Sequence, residues 1–277
     1  MAKLFQEDHF VPAWLAASRY LDTQPDRMAR NLVLEIARPL EITPTDLKVF
    51  DMIDVALRAH ADSSVRTVAG TIFPWALYRR FGRPALYERY EKIIARAKPS
   101  GTWGTYAHRL MSWPTADGRG TFRPLDEAIK KLDRAAHGGH PYQSAYEMGV
   151  IAPAVDLDPN MPDVGVELPT FDASCDAKKI GNMPCLSHLS FKMTNRETVD
   201  LTAIYRSHHY AARTLGNLLG LSQLMAFVAT EAKLKAGVLT CVSTHAELDL
   251  GSWGNAASSR ALMASLNALE WAQNKAA

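Results

Sequence analysis

A cysteine and an arginine stand at the two ends of a pair of alternating segments in the second half of the chain. Cys185 follows Pro184 directly, and apolar and polar residues then alternate in LSHLSFKM. A second alternating segment, VDLTAIYRS, comes after a TNRE turn and contains Arg206. If the segments pair as a hairpin, residues near 185 face residues near 205, which brings Arg206 beside the thiol. Because a neighbouring guanidinium lowers the pKa of a thiol, this pair could support covalent chemistry.

Each of these residues also has a plainer interpretation. A free cysteine is most often a small buried hydrophobic residue, and this is what we expect of Cys175 and Cys241. An isolated arginine is most often a surface or ion-pair residue. Cys185 differs because it lies where a loop meets a strand, and loops carried on a rigid sheet commonly hold reacting groups.

Four blocks in this region resemble, in the same order, the thymidylate synthase and pyrimidine-nucleotide hydroxymethylase family. They are GTYAHRLMSWPTADGR from Gly104, Pro184-Cys185 before a strand, Arg206-Ser207 with Asn217 eleven residues after the arginine, and His245 on a later strand. The resemblance covers roughly residues 100 to 250. It implies an α+β, thymidylate synthase-like fold, in which one large mixed sheet is covered by helices and dimerises through the sheet. We expect a single domain over residues 1–277, divergent in 1–100 and best matched in 101–250.

The resemblance also implies a reaction. In this family a cysteine thiolate adds to C6 of the pyrimidine, and C5 then attacks the one-carbon unit of 5,10-methylenetetrahydrofolate. Cys185 would be the nucleophile, Arg206 would hold the nucleotide phosphate and favour the thiolate, and Tyr106 would lie near the base and cofactor. The other matched residues would bind the phosphate (Ser207), the base (Asn217), the sugar (His245 and Glu247) and the folate (His209 and Trp113).

Asn217 is the matched residue that would read the base. A side-chain amide can accept a hydrogen bond from N3–H of uracil and donate one to O4, whereas cytosine has an unprotonated N3 and a donor at N4. A uracil nucleotide, dUMP or UMP, is therefore favoured. Taken alone, Asn217 could equally satisfy backbone groups at the start of a helix.

Several positions depart from the family pattern. Leu186 follows the cysteine where the family has a histidine, and His209 stands in place of an aspartate that binds the pterin ring. Glu247 replaces a sugar-binding tyrosine, which makes a ribonucleotide a possible substrate. His208, His209 and Tyr210 are either a polar cluster around an altered cofactor site or half-exposed strand residues. Because consecutive strand residues alternate faces, we assign no metal to them.

Two functional groups of the family have no counterpart at their expected places. The helix VRTVAGTIFPWALYRRFG lacks the general-base glutamate, for which Tyr78, a water molecule, Glu88 or Glu91 are alternatives. The segment PDVGVELPTF lacks the arginine pair that a dimer partner lends to the phosphate. The candidates to replace that pair are Lys178, Lys179, Arg213 and Arg66.

Three functional hypotheses follow. The first is a folate-dependent hydroxymethylase or thymidylate synthase-like methylase acting on C5 of a pyrimidine nucleotide. The second is a catalytically inactive nucleotide-binding or regulatory homologue of the same fold, and the third is an enzyme of this fold acting on an unrelated heterocycle.

The length of the chain after His245 bears on the product. Only about 30 residues follow His245, so we expect no long C-terminal segment that closes over the site. Water could then react with the one-carbon unit on C5, which favours a hydroxymethyl product.

Composition narrows the classes further. The net charge of +2 gives no reason to expect a nucleic-acid groove or a membrane surface. Three scattered cysteines fit neither a disulfide framework nor a zinc site. Acidic residues by position 8 argue against a secretory leader, so we expect a cytoplasmic protein. The resemblance implies that it is a homodimer and that it binds a small pyrimidine nucleotide.

The elements that must position these residues are clearest in the second half. We predict the hairpin described above, a long buried helix in TLGNLLGLSQLMAFVATEAKL with two closely packed glycines, a strand in AGVLTCVSTHAELDL, and a final helix. Earlier in the chain we predict a strand over 30–42, in which Pro39 indicates an edge position or a bulge, and helices after Thr43 or Thr45, over 83–97 and over 122–136. Residues 137–182 are predicted to be mostly loop, with one strand near 165–171.

Overall fold

The alternating segments form the centre of a seven-stranded mixed sheet. The computed structural model describes residues 1–97, 104–114, 119–138, 146–150 and 184–269. Within these residues the strands of the sheet are β1 (Lys3–Glu7), β2 (Met28–Ile36), β5 (Glu147–Gly149), β6 (Leu186–Thr194), β7 (Thr198–Tyr205), β8 (His208–His209) and β9 (Lys235–Glu247). Two short strands, β3 (Trp113–Pro114) and β4 (Thr121–Phe122), form a separate antiparallel pair.

The sheet has the order β1-β2-β9-β7-β6-β5, and β8 pairs with β9 in line with β7. β1 with β2 and β7 with β9 are parallel pairs, whereas the other neighbours on this path are antiparallel. The predicted class, α+β with one large mixed sheet, is therefore confirmed.

Eight α-helices lie in the part of the chain that the structure describes. They are α1 (Phe10–Asp22), α2 (Pro44–His60), α3 (Val65–Ile72), α4 (Trp75–Ala97), α5 (Tyr106–Met111), α6 (Pro124–His137), α7 (Leu215–Glu231) and α8 (Ala256–Asn267). Thr43 caps α2 as predicted: its side chain accepts a hydrogen bond from the Asp46 N–H, and the Asp46 carboxylate accepts one from the Thr43 N–H. None of the described helices combines the length and the apolar character that a membrane crossing requires.

The predicted hairpin consists of β6 and β7. Leu186 lies opposite Tyr205, and Thr194 lies opposite Thr198. Asn195 and Arg196 have positive φ values of 51° and 58°, which turn the chain back tightly between the strands. The hairpin places the residues before Leu186 next to those after Tyr205, as the alternation predicted.

One face of the sheet is covered by helices and the other is open. Leu34, Cys241, Ala203 and Leu189 form a row across four strands and are fully buried where α1 and α7 pack. On the opposite face, the row of Val33, Val242 and Ile204 is only half-buried. Removal of the covered row from water supplies the main driving force for this packing.

Two glycines of α7 let it approach α3 closely, as predicted. A Cβ atom on Gly216 would lie 2.5 Å from Cβ of Val68, and one on Gly220 would lie 2.8 Å from the carbonyl oxygen of Ala69. Such distances are too short for carbon and oxygen atoms, so only glycine fits. The contact fixes α3 against the part of α7 that carries Asn217.

The first half differs more from the predictions. β2 lies between β1 and β9, and Pro39 comes after its end, so the expected edge position is wrong. Neither β1 nor α1 was predicted. β5 lies within the predicted loop, and the strand expected near 165–171 falls outside the described residues.

We expect Gly216→Ala to lower the free energy of unfolding by about 1–3 kcal/mol, because α3 and α7 must separate to admit the methyl group. Gly70→Ala on α3 is the matched control. Nothing lies within 4 Å of its added Cβ, and alanine is the better helix former, so this variant should match or slightly exceed the wild-type stability. Urea denaturation measures both, and equal stabilities for the two variants would contradict the close packing.

Candidate active site

Backbone hydrogen bonding at the open end of the β6–β7 hairpin holds Cys185 next to Arg206. The N–H of Arg206 donates to the carbonyl oxygen of Cys185 at 2.8 Å, which continues the ladder one step beyond Tyr205. Nη2 of Arg206 donates to the carbonyl oxygen of Pro184, also at 2.8 Å. The predicted proximity of the two residues is confirmed.

Tyr106 supports the backbone beneath the thiol. Its hydroxyl oxygen accepts from the N–H of Cys185 at 3.0 Å and from the N–H of Leu186 at 3.3 Å. The side chain of Thr105 caps α5 by accepting from the His108 N–H, so the position of Tyr106 at the start of that helix is well defined. Burial raises the pKa of Tyr106 well above its ordinary value, which keeps the phenol protonated at neutral pH.

The thiol borders a cavity of about 280 Å³, close to the lower end of the range for small-molecule sites. Five of the nine predicted site residues line it: Tyr106, Cys185, Ser207, His209 and Asn217. The lining also includes five residues to which the sequence analysis gave no firm role: Val68, Thr71, Gly104, His208 and Arg213.

The other four predicted residues lie outside the lining. Arg206 donates to the carbonyl oxygen of Pro184, and Oε2 of Glu247 is 3.8 Å from Nδ1 of His209. His245 lies opposite Arg30 in the ladder between β9 and β2. Trp113 is on β3, with its ring 5.9 Å from the guanidinium of Arg109. Arg206 and Glu247 are therefore one layer back from the cavity, whereas His245 and Trp113 are not brought to its wall.

The electrostatic environment of Cys185 combines opposing effects. Burial raises the pKa of the Cys185 thiol, while the guanidinium groups of Arg206 and Arg213 act to lower it. Arg206 therefore acts on the thiol in the predicted direction, but the net shift of the pKa is upward because burial has the larger effect. The two cations reduce the cost of forming a thiolate at a partly buried position.

A widened helical turn carries Arg213 to the cavity. Tyr210–Thr214 is a π-helix turn that leads directly into α7. The carboxylate of Asp249 accepts from the N–H groups of Ala211 and Ala212 at 2.8 and 3.3 Å, and Nε1 of Trp14 donates to the carbonyl oxygen of Tyr210 at 2.8 Å. π-turns within helices are frequent at functional sites, but this one has no recognisable sequence signal.

His208 is buried rather than half-exposed, in contrast to one of the two expectations for it. It is 1% exposed, and its ring stacks on that of Tyr205 with a centroid distance of 3.9 Å. Nδ1 is 2.9 Å from Oγ of Ser243, and Nε2 is 3.1 Å from Nδ2 of Asn217. Burial lowers the pKa of His208 to about 3, so the ring is neutral at physiological pH.

We expect Arg213→Gln to raise the pKa of Cys185, because one of the two cations that oppose the effect of burial is removed. The alkylation rate with iodoacetamide at pH 8 should fall by about three- to tenfold, and the pH profile of the rate should move upward. Arg66→Gln is the control, since Arg66 is exposed on α3 and does not line the cavity. Identical pH profiles for wild type and Arg213→Gln would contradict the electrostatic account.

No family model matches the chain, but individual proteins are similar to it. The chain is 32% identical over 168 residues to a protein of Methanosarcina barkeri named "Putative thymidylate synthase", a stretch that is 61% of this chain and 63% of the relative. Proteins with the same name from Methanococcoides burtonii and Methanosarcina mazei are 35% identical over 86 residues and 36% identical over 75 residues.

These two shorter matches cover 31% and 27% of this chain, and 37% and 34% of the relatives. The chain thus matches less than two thirds of the length of each of the three relatives. The matches nonetheless confirm the resemblance on which the site residues were predicted. Over the matched stretches the chain is similar to archaeal proteins that carry the name of a thymidylate synthase.

Proposed function

We propose that the chain transfers a one-carbon group to C5 of a pyrimidine nucleotide through a covalent bond between Cys185 and C6 of the base. The observation that carries the proposal is one cavity lined by a thiol, a side-chain amide and a guanidinium, from Cys185, Asn217 and Arg213. These groups match the electrophilic ring, the polar edge and the phosphate of such a substrate. The relatives' names support an enzyme of the thymidylate synthase type.

In the proposed reaction the Cys185 thiolate forms a C–S bond to C6, and the electron pair of the C5–C6 double bond moves toward C5 and the C4 carbonyl. C5 is then nucleophilic and would bond to the one-carbon unit, whose bonds to the folate nitrogens would break with the electron pairs remaining on nitrogen. Loss of the C5 proton and cleavage of the C–S bond restore the double bond and return the thiolate. Tyr106 holds the backbone of the nucleophile through two hydrogen bonds, so its role is to position the thiol.

Arg213 and Ser207 are the proposed phosphate ligands. Both line the cavity, whereas Arg206 donates to the Pro184 carbonyl and lies outside the lining. Of the other candidate cations, Arg66 is exposed and lies outside the lining, and Lys178 and Lys179 fall outside the described residues. A guanidinium offers two parallel donors to phosphate oxygens, which suits Arg213 to this role.

Asn217 is the proposed reader of the base, and a uracil nucleotide is the favoured substrate. For the sugar, Glu247 adjoins the cavity through His209, and its carboxylate could accept from ribose hydroxyls, so both UMP and dUMP are candidates. His245 is retained as a second sugar ligand on the resemblance alone.

The cavity margin near His209 has groups that fit a folate. Nδ1 of His209 is 3.8 Å from Glu247 and 4.0 Å from Asp249, so carboxylate acceptors lie beside a residue that lines the cavity. Such acceptors suit the N–H donors of a pterin ring. When bound, 5,10-methylenetetrahydrofolate would supply the carbon that C5 receives. A hydroxymethyl product would need water to add to that carbon, whereas a methyl product would need a hydride, which the reduced folate could supply.

A second candidate, a nucleotide-binding homologue without catalysis, is favoured by one specific observation. None of the cavity-lining residues in the described part of the chain is a carboxylate, and α3 contributes only Val68 and Thr71. Tyr78 does not substitute, because its hydroxyl donates to Glu231 at 2.7 Å and its ring packs on Phe227. Among the described groups that line the cavity, a hydroxyl, an imidazole or a bound water would therefore have to move the C5 proton.

Homodimer formation through the open face of the sheet belongs to the same proposal. The half-buried row of Val33, Val242 and Ile204 lies on that face, and its burial by a second copy would remove apolar surface from water. Sedimentation at several protein concentrations measures the oligomeric state directly.

We expect the wild-type protein to release tritium from C5-labelled dUMP or UMP, with and without folate. The rate of release should fall by at least about a thousandfold in Cys185→Ala, since no nucleophile remains for C6. Cys241→Ala is the matched control. Cys241 is buried in β9 away from the cavity lining, so its variant should retain near-wild-type release. Wild-type protein that binds the nucleotides but releases no tritium would support the binding homologue and contradict catalysis.

Phosphate recognition by Arg213 is tested separately. We expect Arg213→Gln to raise the dissociation constant of dUMP or UMP by about tenfold, equivalent to about 1.4 kcal/mol, by loss of a charge-assisted contact. Binding of the corresponding nucleosides, which lack the phosphate, should not change. Titration calorimetry measures both. An equal loss for nucleotide and nucleoside would assign Arg213 to another part of the ligand.

A further inference from the structure

His208 lies behind the proposed base reader, in the middle of a chain of buried polar groups. Asn217, His208, Ser243 and Tyr210 are connected in that order by contacts of 3.1, 2.9 and 3.4 Å. All four residues are at most 5% exposed. Of the four, only Asn217 and His208 line the cavity, so the chain of contacts begins at the ligand and ends in the core.

The protons along this chain follow from the atoms involved. Nδ2 of Asn217 can only donate, so Nε2 of His208 must accept and carries no proton. The proton of the neutral ring is therefore on Nδ1, which donates to Oγ of Ser243. The Ser243 hydroxyl has Oη of Tyr210 as a further partner. One tautomer of His208 and one orientation of the Asn217 amide belong together.

The imidazole has little freedom to move. Its ring lies 3.9 Å from that of Tyr205 at an interplanar angle of 3°, and Tyr210 meets it edge-on at 5.5 Å. If the Asn217 amide rotated by 180° while the ring stayed as it is, its oxygen would face the unprotonated Nε2. Two acceptors in contact at a buried position are unfavourable, so a rotated amide requires the other tautomer of His208.

We propose that His208 determines base selection, by holding the Asn217 amide with its nitrogen turned inward and its oxygen left for the ligand. The inference rests on the proposed function. In this orientation the amide oxygen can accept from N3–H of uracil, and the second hydrogen of Nδ2 can be donated to O4. Cytosine presents an acceptor at N3, so it requires the rotated amide and with it the other tautomer of His208. His208 is thus a positioning residue that acts through Asn217.

The test compares dissociation constants of UMP and dUMP with those of CMP and dCMP by titration calorimetry. Wild-type protein should prefer the uracil nucleotide by about tenfold or more. His208→Phe keeps an aromatic ring between Tyr205 and Tyr210 but removes both ring nitrogens. The amide of Asn217 can then rotate, so the preference should fall to within about threefold. His188→Phe, on a half-exposed histidine of β6 outside the cavity lining, should keep the wild-type preference.

Two further measurements keep the test independent of how well His208→Phe folds. Ser243→Ala retains the imidazole but removes the partner of Nδ1, and the uracil preference should again fall, by about threefold or more. In the ligand-free wild type, ¹⁵N spectra of the ring should show Nδ1 protonated and Nε2 bare, without titration between about pH 5 and pH 9.

The outcomes separate this inference from the proposal on which it rests. Wild-type protein that binds none of the four nucleotides would overturn both. Uracil-selective binding that is unchanged in His208→Phe and Ser243→Ala would overturn only the role of His208, as would a ring protonated on Nε2. A loss of affinity that is equal for uracil and cytosine nucleotides would assign His208 a purely structural role and would also overturn the inference.

Discussion

The site depends on the antiparallel pairing of β6 with β7. The pairing shifts by one residue between His188 and Leu186, and beyond this shift the Arg206 N–H reaches the Cys185 carbonyl. Backbone geometry therefore holds Cys185 beside Arg206. β9 pairs with β7 and, with the same residue offset, with β8. β7 and β8 therefore lie in one line along β9, and Arg206 and Ser207 form the short break between them. A shift of one residue in the hairpin would turn every side chain to the other face and separate the catalytic groups from the cavity.

The cavity wall opposite the hairpin is set by helix packing. Gly216 and Gly220 bring α7 against α3, which places Val68 and Thr71 on one side of the cavity and Asn217 on another. The π-helix turn before α7 contains Arg213, which lines the same cavity. Asp249 accepts hydrogen bonds from the N–H groups of Ala211 and Ala212 in this turn. The site is therefore built on rigid elements, with polar groups held by partners behind them, as accurate positioning requires.

Much of the second half of the fold could be predicted from the sequence, because period-2 alternation and turn residues agree there. The β6–β7 hairpin, α7 with its glycines, and β9 were all predicted, and five of the nine predicted site residues line the cavity. β1 was missed because it pairs with a strand more than twenty residues away and has little alternation in burial. The buried state of His208 was missed because it depends on the contact with Ser243, which no local pattern records, and on how the rings of Tyr205 and Tyr210 turn toward it. Arg213 was one of several candidate cations, since only the fold shows which of them reaches the cavity.

Burial raises the pKa of the partly buried Cys185 thiol, and two cations, Arg206 and Arg213, favour its ionised form. In the proposed reaction this sulfur bonds to C6 of a pyrimidine. The most direct measurement is the mass of the protein after incubation with a 5-fluorouracil nucleotide and the folate, because fluorine at C5 cannot leave as a proton does and the C–S bond persists. The account predicts a mass increase that includes the nucleotide and maps to the peptide containing Cys185. An unmodified mass, or an adduct on Cys241 or Cys175, would contradict it.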